Sequence, residues 1–325
     1  MRKVQGPSRI RVAALDDYQG VALRCADWGR LPNVELVPFR DHVHDPDELV
    51  ARLSGFDAVL RVRERTPFPR AILERLPDLK ILLATGLRNA RSIDMAAAKE
   101  LGITVCGTHA LQRETVEIAW WLILSLLRGV PAEQASVRAG GWQLGLGRSL
   151  VGRKLGILGL GTMGIPVSGV GRAFGMDVQA WSPNLTAERA APHGVRAVSK
   201  QDLFETSDAI TIHMPESERS IGIVGAGDIA RMRRDAFLVN TSRAGLVDEA
   251  ALLEALRAER IGGYGVDVYD LEPLAPNHPY RTLPNVIATP HIGYVTEENY
   301  EVFYGQSLEN LEAWLRGAPV RVLNA

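Results

Sequence analysis

Lys154-Leu-Gly-Ile-Leu158-Gly159-Leu-Gly161-Thr162-Met163-Gly164 is the stretch that decides how this chain folds. Residues 154–158 form a short, mostly apolar run of the kind a buried strand needs. A G-x-G-x-x-G turn at Gly159, Gly161 and Gly164 follows at once and opens a helix through residue 174. Strand, glycine turn and helix in that order are the context that gives the motif meaning. Gly159 permits the tight turn, Gly161 lets backbone approach a pyrophosphate, and Gly164 permits close helix–strand packing. The helix start then offers free N–H groups and a favourable dipole to phosphate. The segment reads as a dinucleotide-binding turn rather than a glycine turn with only a structural role.

Outward from this turn, short β-rich runs alternate with helical patterns. Strands are expected at 178–181, 209–213, 237–240, 264–268 and 286–288, and a final helix at 296–315. Before the turn, strands are expected at 10–15, 34–37, 58–62, 81–84 and 103–106, with helices at 45–53, 70–76 and 92–101. Such alternation makes βαβ units and mostly parallel sheets. Residues 114–139 hold no strand; Leu122, Leu126 and Leu127 have helical spacing, and Pro131 marks a break or kink. The reading is α/β: two doubly wound parallel-sheet domains, with the middle helix as hinge or arm.

Composition narrows the function. The 325 residues carry 37 Lys+Arg against 38 Asp+Glu, so no basic field favours nucleic acid. At ~100–200 residues per domain, the length fits two domains. Cys25 and Cys106 make neither a disulfide framework nor a cysteine-based metal site, and no metal is expected. Residues 1–8 lack the apolar stretch of a signal peptide. The longest nearly apolar run, 118–127, falls well short of the ~20 residues a membrane span needs. A soluble, cytoplasmic protein with no membrane or nucleic-acid partner is expected.

Three later segments carry ionisable groups where strands end: 239–248 with Arg243, 265–273 with Asp267 and Glu272, and 288–294 with His291 and Tyr294. Ligands of open parallel sheets bind outside the carboxyl ends of the strands, so all three can face one crevice. A nucleotide domain that takes NAD usually places an acid ~20 residues past the first glycine, on the ribose 2′-OH. Here Ser182 stands 23 residues after Gly159, with Arg189 beyond it. The cofactor is therefore read as NAD or NADP.

The motifs GLGTMG, NTSRAGLVDE, GVDVYDLEP and TPHIGY, in this order and spacing, resemble the D-isomer-specific 2-hydroxyacid dehydrogenase family over nearly the whole chain. The resemblance implies a catalytic arginine at Arg243, its glutamate at Glu272 and an acid–base histidine at His291. It implies cofactor contacts at Gly159, Gly161, Thr162, Met163, Gly164, Ser182, His213, Met214, Thr241, Ser242, Asp267 and Gly293. It places the substrate carboxylate on backbone N–H groups of loops 62–66 and 85–89. Arg63, Gly86 and Leu87 join Arg243 on that side, and Arg63 and Arg88 are candidates to meet a second anionic group. Arg63 could equally pair with Glu64, and Asp267 could be a strand-end cap. Tyr294 and Trp142 are candidate pocket walls, with core packing an alternative for Trp142. His42, His44 and His109 are read as surface or loop residues.

The resemblance further implies a Rossmann cofactor domain at 112–296 and a smaller flavodoxin-like substrate domain at 1–111 plus 297–325. Residues 114–140 would link the domains and hold a homodimer. The expected activity is hydride transfer between nicotinamide and C2 of a small 2-oxo or 2-hydroxy acid, mainly 2-oxo acid reduction. The residue types suit it: histidine donates a proton near neutral pH, a carboxylate favours its charged form, and arginine's planar fork binds a carboxylate. A dinucleotide-sensing interaction protein on the same fold is the alternative. A family member acting on phosphite or formate is a weaker one, since the His–Glu pair suits a carbonyl.

Overall fold

The computed structural model describes residues 9–86, 92–111 and 113–325. The chain divides into two compact units, Met1–Leu111 with Thr296–Ala325, and Gln112–Val295.

In the first unit, β1 (Ile10–Ala14), β2 (Val34–Pro38), β3 (Ala58–Arg61), β4 (Ile81–Ala84) and β5 (Thr104–Gly107) pair in parallel in the order β2-β1-β3-β4-β5. Both β3 and β4 are buried along their whole length, which is why they are almost entirely apolar. The strand order reverses between β1 and β3, the switch point of a flavodoxin-like sheet. The helix Glu297–Leu315 packs on β4 and β5, capped by the Thr296 side chain. The chain end then bridges to β5 through Cys106 and Val322. A shorter helix than expected, Met95–Glu100, starts where Asp94 Oδ1 accepts the Ala97 amide at 2.8 Å.

The second unit holds β6 (Lys154–Leu158), β7 (Asp177–Trp181), β8 (Arg196–Ala197), β9 (Ala209–Ile212), β10 (Phe237–Asn240), β11 (Gly263–Val266) and β12 (Val286–Ala288). All pair in parallel, in the order β12-β11-β10-β9-β6-β7-β8. This is the Rossmann order extended by one strand, with the switch point between β6 and β9. The two-residue β8 escaped the sequence reading because so short a run shows no alternation.

The middle segment divides. The helix Glu114–Arg128 is a core helix: Ala119, Leu122, Ile123 and Leu127 are buried, and it packs on β10 and β11. Gly129, left-handed at φ 65°, ends it. A second helix, Val130–Arg138, leaves at 72° to the first. Pro131 therefore does not kink one long helix; it sits in the first turn of a new one, where its missing N–H costs nothing. Beyond it Trp142 is 74% exposed and Leu146 fully exposed, so Trp142 is not part of the core of this chain. Among the described residues no single helix is long and apolar enough to cross a membrane.

Candidate active site

The glycine turn leaves β6 at the switch point of the second sheet. Gly159 has φ 101°, and a β-carbon there would stand 2.5 Å from the His213 carbonyl oxygen. One on Gly164 would stand 2.1 Å from the Gly159 oxygen. Neither position can hold a side chain. A β-carbon on Gly161 would meet nothing within 4 Å, so open space borders the turn where a pyrophosphate would lie. The Gly159 amide donates to the Trp181 carbonyl at 2.9 Å, which brings the end of β7, and Ser182 after it, beside the turn. Thr241, past β10, is buried, and its hydroxyl has no hydrogen-bond partner among the described residues. An open glycine turn and an orphaned hydroxyl at strand ends fit a bound dinucleotide.

Several predicted cofactor residues have other partners. The His213 imidazole is buried, with Nε2 2.9 Å from Thr211 Oγ1, and burial pushes its pKa down to about 4. What meets the glycine turn is the His213 backbone and the Met214 side chain. Ser242 Oγ donates to the Ile212 carbonyl at 2.7 Å and ties β10's end to β9's. Asp267 is buried and carries three bonds. Its Oδ1 accepts from Thr289 Oγ1 at 2.6 Å and the Ile292 amide at 2.9 Å, and its Oδ2 accepts from the Gly293 amide at 2.8 Å. Asp267 thus staples the loop after β12, the strand-end role weighed above, with its pKa raised because burial outweighs those bonds. The Gly293 carbonyl accepts from Thr115 Oγ1 at 3.0 Å.

That stapled loop presents His291. Its backbone is left-handed, φ 52°, a strained state for a non-glycine residue. Nδ1 lies 2.7 Å from Glu272 Oε2, both side chains being about a fifth exposed. The Tyr294 ring meets the imidazole edge-on, 5.3 Å between centroids. Tyr269, not singled out in the sequence, joins the two segments: its amide donates to Glu272 Oε1 at 3.0 Å and its hydroxyl to the Thr289 carbonyl at 2.7 Å. Only its position, two residues past Asp267, could have pointed to it.

Arg243 stands three residues past β10, half-buried and extended. Asn240, fully buried, clamps the turn, accepting the Ser242 amide at 3.0 Å and donating to the Arg243 carbonyl at 2.8 Å. Only a polar residue closing an apolar strand hints at this role in the sequence. Because β10, β11 and β12 are neighbours, Arg243, Glu272 and His291 leave adjacent strands at one sheet edge. The same edge carries the glycine turn, Ser182 and Thr241.

In the first unit two of the expected amide donors are already engaged. The Arg63 amide donates to Thr85 Oγ1 at 2.8 Å, and the Gly86 amide to Thr108 Oγ1 at 2.9 Å. Each threonine hydroxyl bridges neighbouring strand ends, so these two N–H groups do not await a carboxylate. The Arg63 side chain lies 3.5 Å from Glu64. Leu87 and Arg88 lie outside the described residues. His42, read as a surface or loop residue, lies in the loop after β2, where its side chain is 5% exposed and bonded to buried Asp16.

A doubly wound parallel sheet with an open glycine turn at its switch point defines a dinucleotide-binding protein. Residues 120–293 match the family model for the D-isomer specific 2-hydroxyacid dehydrogenase NAD binding domain. The chain is 34% identical to D-3-phosphoglycerate dehydrogenase of Archaeoglobus fulgidus, over 85% of this chain and 52% of that one. It is 34% identical to glycerate dehydrogenase of Methylorubrum extorquens, over 86% of this chain and 89% of the relative. A crystal structure of phosphoglycerate oxidoreductase from Vibrio cholerae superposes with a TM-score of 0.90 at 35% identity, over 95% of this chain and 100% of that one. The chain belongs to the D-isomer specific 2-hydroxyacid dehydrogenase family, whose cofactor is NAD(P). It spans about half the length of the phosphoglycerate dehydrogenases it matches.

Proposed function

We propose that this chain is an NAD(P)-dependent oxidoreductase that reduces a small 2-oxo acid to the D-2-hydroxy acid. The observation that carries the reading is the His291–Glu272 pair, one strand from Arg243 on the edge that bears the glycine turn. The nicotinamide supplies hydride when bound. His291, its Nδ1 held by Glu272, delivers a proton from Nε2 to the forming hydroxyl. Arg243 grips the substrate carboxylate and polarises the adjacent carbonyl. The second unit holds the dinucleotide and the first supplies the substrate loops.

Relatives named for phosphoglycerate, glycerate and glyoxylate point to small hydroxy or oxo acids. Exposed Trp142, Leu144 and Leu146 beyond the core helix support a homodimer joined through this arm.

The test is oxidation of NADH and NADPH with glyoxylate, hydroxypyruvate and a series of larger 2-oxo acids. Turnover of at least one acid is expected. Tight dinucleotide binding with no turnover of any would reject the enzyme in favour of a dinucleotide sensor.

A further inference from the structure

The first unit carries a buried polar cluster that the chemistry above does not use. Asp16 lies two residues past β1, is 1% exposed, and is left-handed at φ 57°. Its Oδ1 lies 2.8 Å from His42 Nδ1 and 3.5 Å from the Tyr18 hydroxyl, and its Oδ2 accepts from Thr66 Oγ1 at 2.6 Å. The Asp16 carbonyl accepts from Arg65 Nη1 at 2.8 Å. Arg65 also stacks over the Tyr18 ring and reaches the Tyr300 hydroxyl at 3.4 Å. Asp16, His42 and Thr66 follow β1, β2 and β3, which are neighbours in the sheet. The cluster thus sits at the β1/β3 switch point, where an open sheet binds its ligand.

On the β3 side Arg63 is left-handed too, φ 52°. Strained residues on both sides of a switch point persist only where their surroundings hold them, and they gather at functional sites. Core packing gives no reason for an acid here, since a buried charge is costly unless paired. Asp16 is paired, and two of its partners belong to one loop.

We propose that Asp16 is a positioning residue for substrate binding: braced by His42, it clamps Thr66 and Arg65 and fixes how loop 62–66 presents Arg63 to an anionic substrate. The proposal rests on the reading that this loop faces the substrate. Asp16→Gly keeps the left-handed backbone and removes the clamp. Thr66→Val removes one bond with little change in shape. Asp16→Asn keeps an acceptor for Thr66 and loses the charge. Steady-state kinetics with a 2-oxo acid, dinucleotide affinity and amide hydrogen exchange are measured on each.

Asp16→Gly and Thr66→Val should each raise KM for the acid about tenfold with kcat within about threefold, the signature of lost uniform binding. Dinucleotide affinity should stay unchanged, amides of 62–66 should exchange faster, and Asp16→Asn should fall between parent and glycine variant. KM within twofold of the parent in both, or a fall in kcat with KM unchanged, overturns the proposal. Should Asp16→Gly not fold, Thr66→Val decides alone. Should the parent turn over no 2-oxo acid, the functional reading has failed separately and exchange decides. Faster exchange confined to 62–66 then supports the clamp, and unchanged or unit-wide exchange overturns it.

Discussion

Glu272 holds the His291 ring at 2.7 Å while its other oxygen is fixed by the Tyr269 amide at 3.0 Å. The carboxylate is oriented by its own segment before it meets the imidazole. A carboxylate accepts, so Nδ1 carries the hydrogen, and Nε2 is the nitrogen left for the proton exchange proposed above. Tyr269, Asp267 and Thr115 hold the loop that places this ring.

His291→Ala removes the proton donor and should cut turnover by ~10²–10⁴-fold. Glu272→Gln keeps the side chain's shape and removes the carboxylate that holds the ring, so turnover should fall, though less than in His291→Ala. Dinucleotide affinity should be near normal in both. The check is steady-state turnover beside a binding titration; parent-like turnover in Glu272→Gln would sink the pairing.

Arg243→Lys keeps the charge and loses the planar fork. Substrate affinity and turnover should both fall by tenfold or more, on the order of 1–3 kcal/mol for a charge-assisted bond. Kinetics within a few-fold of the parent would remove Arg243 from the mechanism.

The candidate site residues are more legible in the sequence than the residues that hold them in place. Gly159, Gly164, Arg243 and His291 lie in runs whose order and spacing carry the chemistry, and each is where a strand end places it. Tyr269 and Thr115 act through bonds to backbone 20 and 178 residues away in sequence, and such long-range pairing leaves no local pattern. Asp16 and His42 were missed for the same reason: β2 and β1 had to pair before the two could meet. A proline between helical runs reads alike as a break or a kink, and the two helices meeting near Pro131 show the break. Gly129 made the difference.

His213 should make stability depend on pH. Burial holds its folded pKa to about 4, whereas an unfolded histidine takes a proton near pH ~6.5. The stabilisation from keeping it neutral is complete above pH ~6.5 and drains away as pH falls towards about 4. His213→Asn should be less stable at pH 8 and should show a flatter decline across that window. Thermal melts at half-unit pH intervals measure it; parallel curves for both proteins would mean that another group sets the slope.

Ser182 should govern cofactor choice. The Gly159–Trp181 bond sets the end of β7 beside the glycine turn, so the next residue is the one to meet a ribose. A carboxylate there accepts from a 2′-OH and repels a 2′-phosphate; serine does neither strongly and can donate to phosphate. The parent should therefore use both NADH and NADPH. Ser182→Asp should shift the ratio of catalytic efficiencies towards NADH, mainly by weakening NADPH. Arg189 does not decide the matter alone, since its guanidinium donates to the Asn184 carbonyl at 2.7 Å in the same loop. Arg189→Ala should weaken NADPH only if that bond breaks when the phosphate arrives, and the two variants together separate the contributions. A ratio unmoved by Ser182→Asp would mean that the ribose lies elsewhere than the end of β7.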